Sequence, residues 1–278
     1  MKNLIFVLLI PIILVSCSSN NSYKKISPTN TSTSIIQDNT INKDNLSTKE
    51  LNWFYEIKKD ETPSSEPTEI LDLINKYSAY YLGDTSKKII YLTFDEGYEN
   101  GLSENILDIL KGKDVKAAFF VTTTYIKANP ELIKRMVNEG HLVCNHSTHH
   151  PSMASILDIN KFKEEFDGCD KAYKDLIGDD IPKYFRPPMG KYSEYSLYQT
   201  DKLGYKTIFW SFAYADWDNT KQPSKEYAMK TIMDRTHPGA IFLLHAVSKT
   251  NNEILGSVID NLKSRGYSFD SLDNLPER

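Results

Sequence analysis

The chain has 278 residues, long enough for a substantial buried core. Its 40% hydrophobic and 25% charged residues are ordinary for a soluble globular protein. A formal net charge of −4 speaks against a nucleic-acid partner, which would favour a clustered basic surface.

The first seventeen residues, "MKNLIFVLLIPIILVSC", carry one lysine and then an apolar run of roughly a dozen residues, the anatomy of a secretory signal. The run is too short and too early for a membrane span. It closes on Leu14-Val15-Ser16-Cys17, which resembles the lipobox of bacterial lipoproteins, where the cysteine is lipidated and becomes the mature N-terminus. An ordinary signal peptide with an incidental cysteine is the bland alternative. On the first reading, residues 1–17 are removed or lipidated at Cys17, and acyl chains tether the protein to the outer face of a membrane. Residues 18–50, rich in Ser, Asn, Thr and Lys, bury too little to offset their ordering entropy and read as a flexible tether. The remaining cysteines, Cys144 and Cys169, make no disulfide framework, and their pairing stays open.

A folded domain is expected over 51–278, with its core over about 88–270. Leu51 to Tyr55 reads as an extended segment lying against it, "ETPSSEP" as a breaker, and Ile70, Leu71, Ile74 and Tyr77 follow at helical spacing. From Lys88 a rhythm sets in. Short strand-like runs, "KIIYLTF", "AAFFV", "HLVCN", "KYFR", "KTIFWS", "AIFLLHA" and "GYSF", are separated by helical patterns such as "SENILDILKG", "NPELIKRMVNEG", "SEYSLYQTDKLG" and "EYAMKTIMDRT". Pro130 suits a first helical turn; Gly140 and Gly204 suit helix stops. Alternating strands and helices imply an α/β fold of parallel strands joined by crossovers. Either an open doubly wound sheet or an incomplete (β/α) barrel fits seven such strands. Both gather function beyond the C-terminal ends of the strands. No nucleotide-binding glycine loop follows the first strand.

Five polar clusters fall at such strand ends. Asp95-Glu96 follow "IIYLTF", His146 and His150 follow "HLVC", Arg186 ends "YF", Asp216-Trp217 come soon after "TIFWS", and His245 ends "IFLL". On a helical turn, His146 and His150 would project from one face and could grip one cation, with a neighbouring carboxylate as third ligand. A polar loop with satisfied imidazoles is the alternative. Two adjacent carboxylates could divide labour between metal and water. Arg186 could keep a base carboxylate ionised, and His245 could be an acid supported by Asp216.

"TFDEG", "HSTHH", "RPPMG", "DW" and "LLH" together resemble the five ordered motifs of the polysaccharide deacetylases of carbohydrate esterase family 4, a likeness running from about Asn52 to Leu275. "YLGDTSKK", "TFDEGYENG", "FWSFAYADW" and "HPGAIFLLHAVS" are most similar to the branch that forms muramic δ-lactam in spore cortex peptidoglycan. The resemblance implies a distorted, incomplete (β/α) barrel, a divalent metal (often zinc), and removal of acetyl groups from polysaccharides. By position it implies Asp95 as general base, Arg186 as its holder, and His245 as general acid with Asp216 and Trp217 in support. It further implies His146, His150 and Glu96 on the metal, with Trp217, Pro187, Met189 and Tyr98 on the substrate. Metal-activated water would attack the acetyl carbonyl, and a backbone N–H near Met189 would help hold the oxyanion.

Two positions depart from the family pattern. Glu96 stands where Asp is usual, and its extra methylene moves a ligand oxygen by more than about 1 Å, beyond what a metal centre tolerates unless the backbone compensates. Met189 stands where many relatives have Tyr, a change that a backbone donor survives. The expected protein is thus a tethered, exported N-acetylmuramic acid deacetylase acting on peptidoglycan strands. Two alternatives remain: a deacetylase of N-acetylglucosamine in wall, chitin-type polymer or xylan, and a catalytically silent glycan-binding lipoprotein. Asp95, Arg186 and His245 speak against the silent binder, which needs no acid and base.

Overall fold

The computed structural model describes residues 45–277; the signal, Cys17 and the tether as far as residue 44 lie outside the described residues. All seven strand-like runs are strands. β3 (Ile89–Glu96), β4 (Ala118–Val121), β5 (Leu142–Asn145), β6 (Tyr184–Phe185), β8 (Lys206–Ile208), β9 (Ala240–His245) and β10 (Ser268–Phe269) pair with one another in parallel. A further short strand, β2 (Ala79–Tyr80), extends the order to β10-β3-β4-β5-β6-β8-β2, and β9 lies along the other edge of β3. The sheet curls until β9 meets the far end. Leu82, just after β2, and Phe212, just after β8, reach Ala240 and Phe242 through isolated bridges. The circle is therefore closed by single bridges and not by a strand pair, and the fold is the distorted, incomplete (β/α) barrel.

Period-two alternation divides the apolar residues of β3 between two cores. Ile90, Leu92 and Phe94 face outward and pack with Ile106, Leu107 and Leu110 of α2 (Ser103–Gly112). Tyr91 faces inward with Phe120, Cys144, Ile208 and Ile241, filling the barrel. Both faces are covered, so the strand reads as a continuous apolar run.

Helices α1 (Thr68–Lys76), α4 (Pro130–Asn138), α6 (Glu194–Lys202) and α7 (Lys225–Arg235) fall where the spacing placed them. Pro130 does open α4, and Gly140 and Gly204 adopt the left-handed backbone (φ 79° each) that ends a helix. Three helices carry none of the patterns named above: α3 (Thr123–Ala128), α5 (Ile159–Ile177) and α8 (Lys249–Ser264). Among the described residues no helix is long and apolar enough to cross a membrane.

The expected extended segment is present as β1 (Leu51–Asn52), which pairs antiparallel with β7 (Lys191–Tyr192). Trp53 follows, stacked on Phe209 with ring centroids 4.3 Å apart. Its indole N–H donates to the Trp210 carbonyl at 2.8 Å. Cys144 and Cys169 are buried free thiols, and the Cys169 thiol donates to the Val121 carbonyl.

Candidate active site

The C-terminal strand ends surround a cavity of about 650 Å³ lined by Asp95, Tyr98, His146, His150, Met189, Trp217 and His245 from the expected set. Gly97, Gly190, Trp210, Leu243 and Val247 complete the wall. β3 and β9 run in register with Asp95 opposite His245, so the two side chains share one face of the sheet.

Asp95 is held by a fully buried arginine. Arg186 donates from Nη1 to Asp95 Oδ1 at 2.7 Å and to Thr93 Oγ1 at 2.8 Å. Its Nε donates to the Ile208 carbonyl at 3.0 Å and its Nη2 to the Phe209 carbonyl at 3.3 Å. The guanidinium carbon lies 4.2 Å from the Phe120 ring centroid. A buried guanidinium is stable only when so fully partnered. Burial works to raise the Asp95 carboxyl, but the charge of Arg186, with His146 and His245, outweighs it and holds Asp95 below its ordinary range.

On the neighbouring strand, His245 leans on Asp216, which is wholly buried. His245 Nδ1 donates to Asp216 Oδ1 at 2.7 Å, and the His245 backbone N–H to Oδ2 at 2.8 Å. Burial alone would lower the imidazole, but the Asp216 charge and hydrogen bond, aided by Asp95, raise it above its ordinary value. The exposed Trp217 ring lies 6.2 Å from that of His245. Tyr98, also exposed, accepts from Asn219 Nδ2 at 2.7 Å.

His146 and His150 do meet, with ring centroids 4.9 Å apart, but not on a helical turn. Left-handed backbone at Ser147 (φ 71°) and His150 (φ 59°) folds the segment into a bend. His146 Nδ1 lies 2.8 Å from the Arg186 carbonyl, so it carries the proton and leaves Nε2 as a lone pair, 3.6 Å from Asp95 Oδ2. Burial pushes His146 down to about 4 and lowers His150 as well, so both are neutral at pH 7. A neutral imidazole whose other nitrogen is anchored on a carbonyl is the usual form of a metal-bound histidine. The pair fits a cation.

Glu96 does not complete that site, and its expected place on the metal is corrected. Alternation turns it to the outer face of β3, fully buried and off the cavity wall, with no hydrogen-bond partner for either oxygen. Burial, then Glu99 and Asp95, push its carboxyl well above the ordinary value and favour its protonated form. Among the described residues, no three or more His, Cys, Asp or Glu side chains converge as a cation site. Pro187 is likewise buried off the cavity wall. Its carbonyl accepts the Gly190 N–H at 3.0 Å and shapes the turn that carries Met189, itself left-handed (φ 59°).

Sequence reasoning passed over Trp210, Thr93, Tyr214 and Asn251. Trp210 lay inside a run read as a strand, and the others are common polar or aromatic residues whose roles appear only in space. Asn251 sits in the first turn of α8, a helix announced by apolar residues at 254, 255, 258, 259 and 262.

The polysaccharide deacetylase family profile matches residues 82–208. The chain is 44% identical over 225 residues to the peptidoglycan-N-acetylmuramic acid deacetylase PdaA of Bacillus subtilis, covering 81% of this chain and 85% of that one. It is 28% identical over 228 residues to a peptidoglycan-N-acetylglucosamine deacetylase of Bacillus cereus, covering 81% and 80%. The solved structure of Bacillus subtilis PdaA, a family 4 carbohydrate esterase, superposes with a TM-score of 0.81 at 43% identity, covering 83% of this chain and 98% of that one. Enzymes of this family are generally metal-dependent. Fold, motif order and these likenesses agree: the chain belongs to the polysaccharide deacetylases of carbohydrate esterase family 4.

Proposed function

We propose that the protein is an exported deacetylase that hydrolyses the N-acetyl group of N-acetylmuramic acid in peptide-stripped peptidoglycan. The freed amine then closes on the lactyl carboxyl, giving the muramic δ-lactam of spore cortex. The observation that carries this reading is the pair Asp95–Arg186 and His245–Asp216, an ionised carboxylate and a proton-bearing imidazole facing one cavity. The likeness to the Bacillus subtilis muramic acid deacetylase supports the choice of sugar.

Asp95 takes a proton from the attacking water as the C–O bond forms at the acetyl carbon. The backbone N–H at Met189 helps hold the charge that develops on the carbonyl oxygen. His245 gives its proton to the nitrogen as the C–N bond breaks, releasing acetate and the free amine. Trp217 and Tyr98 offer exposed ring faces to the sugar. His146 and His150 would seat a divalent cation, zinc, whose Lewis acidity polarises the carbonyl and acidifies water. Cys17 is proposed as the lipid anchor that keeps the enzyme at the outer face of the membrane.

The test is acetate release from peptide-stripped peptidoglycan by the purified full-length chain, with the muropeptide products weighed. It is run after chelation and after zinc is restored. Expected are zinc-dependent release, a muramic lactam product, and a loss of at least about 10²-fold in Asp95→Asn. Deacetylated glucosamine as the product would move the reading to the other wall sugar. Release that survives Asp95→Asn would overturn the roles assigned here.

A further inference from the structure

Asp216 is wholly buried, and its carboxylate takes one donor more than His245 supplies. The Asn251 Nδ2–H group donates to Asp216 Oδ2 at 2.6 Å and reaches the His245 carbonyl at 3.2 Å. Which end of an amide faces a carboxylate is decided by its other partners. Here the Tyr214 hydroxyl donates to Asn251 Oδ1, so the NH₂ end must face Asp216. The Asn251 backbone is fixed in turn, its N–H donating to Ser248 Oγ at 3.1 Å in the first turn of α8. Asn251 is 1% and Tyr214 7% exposed, so water offers little substitute for either bond.

The main chain of Asp216 is tied to the same turn. Gln222 Nε2 donates to the carbonyls of Asp216 at 2.9 Å and Asp218 at 3.0 Å. Gln222 Oε1 accepts from Ser248 Oγ at 2.7 Å and from the Thr250 N–H at 3.2 Å. The loop bearing Asp216 is thus pinned to α8 at both its backbone and its carboxylate.

We propose that Asn251, oriented by Tyr214, is a positioning residue that locks the Asp216 carboxylate so that the His245 proton stays on Nδ1 and Nε2 faces the cavity. The physical need is plain. Two of the three donors to Asp216 come from His245 itself, so without Asn251 the carboxylate is held only by the residue it must orient. With Asn251 the reference frame is α8, an element outside the catalytic pair. An acid that must present one nitrogen to the substrate gains from such a third group, because misorientation costs rate even where binding is intact.

The rate measurement rests on the deacetylase reading; the spectroscopic one does not. In full-length protein labelled with ¹⁵N-histidine, with His245 assigned by its loss in His245→Gln, the ¹⁵N shifts report which ring nitrogen carries the proton. Wild type is expected to hold the neutral ring as the Nδ1–H form. Asn251→Ala is expected to give a tautomer mixture and a kcat lower by roughly 10–100-fold, with KM changed less than about twofold. Tyr214→Phe keeps the Asn251 donors but frees the amide to turn, and is expected to move both readouts the same way by a smaller factor. A fixed Nδ1–H form with kcat near wild type in Asn251→Ala would overturn the proposal. Should that variant not fold, the same null result in Tyr214→Phe would do so. If wild type releases no acetate, the deacetylase reading fails while the tautomer still decides the role of Asn251.

Discussion

Asp95 and Glu96 stand side by side on β3, and the pleat of the strand turns them to opposite faces. Asp95 meets Arg186, His146 and His245, which lower its carboxyl; Glu96 meets the outer core, Glu99 and Asp95, which raise its carboxyl. The position of Asp95 was legible because a carboxylate ending an apolar run before Gly97 has no packing reason to be there. The direction of Glu96 was equally written in the alternation, but the motif pattern argued for the metal, and the geometry follows the alternation. Two consequences separate the readings. Glu96→Gln should leave zinc affinity within about threefold by calorimetry, while His146→Ala should weaken it by at least tenfold or so. The sign of the stability effect follows from a raised folded-state value. Stability from neutral Glu96 is complete below the unfolded carboxyl value of 4.5 and is lost as pH rises toward the folded one. Glu96→Gln should therefore gain in urea midpoint relative to wild type at pH 8 and not at pH 4.

The strand and helix boundaries were mostly readable because burial on two faces imposes two periods. α2 buries Ile106, Leu107 and Leu110 at helical spacing, and β9 buries every residue but His245. α5 escaped that reading although Phe162, Phe166, Cys169 and Tyr173 mark one face. Gly168 interrupts it, and the reason lies in another element: the Thr148 side chain approaches where a Cβ would stand, so the bend carrying the two histidines packs directly on the helix. Glu165 reinforces that contact, accepting the backbone N–H groups of Thr148 at 3.0 Å and His149 at 2.8 Å. At the opposite end of the barrel, Gly239 opens β9 with φ 72°, and a Cβ there would lie 2.9 Å from the Asp84 carbonyl carbon. Its carbonyl accepts from the Gly83 N–H at 2.8 Å. Gly239→Ala should cost about 1–3 kcal/mol in urea denaturation, with kcat per folded molecule within about twofold of wild type. A large loss of kcat at full stability would mean that this turn communicates with the site.

Arg186 reaches Asp95 only because the sheet curls. In sheet order β6 stands three strands from β3, too far for a side chain across a flat sheet, where each step adds about 4.8 Å. His245 needs no such curl, because β9 pairs with β3 directly and sets it opposite Asp95; with Arg186 brought round, all three gather at one cavity. The pH profile should report the assembled pair. Activity requires Asp95 ionised and His245 protonated, so it rises through a value below the ordinary 3.8 and falls through one above the ordinary 6.5. Asp216→Asn removes the charge that raises His245 and should move the alkaline limb to lower pH; an unmoved limb would assign that limb to another group.

Period, capping and motif order are local, so the seven parallel strands, most helices and the residues that gather at the strand ends, Asp95, His146, His150, Arg186 and His245, could be read along the chain. Their mutual geometry could not, because it depends on contacts between residues far apart in sequence. Arg186 and Asp95 are 91 positions apart, and Asn251 and Asp216 are 35 apart. The left-handed bend that joins His146 to His150, the burial that takes Glu96 off the cavity wall, and the amide bonded to Asp216 all arise from tertiary packing. There one side chain's partners are set by which faces of distant elements are pressed together.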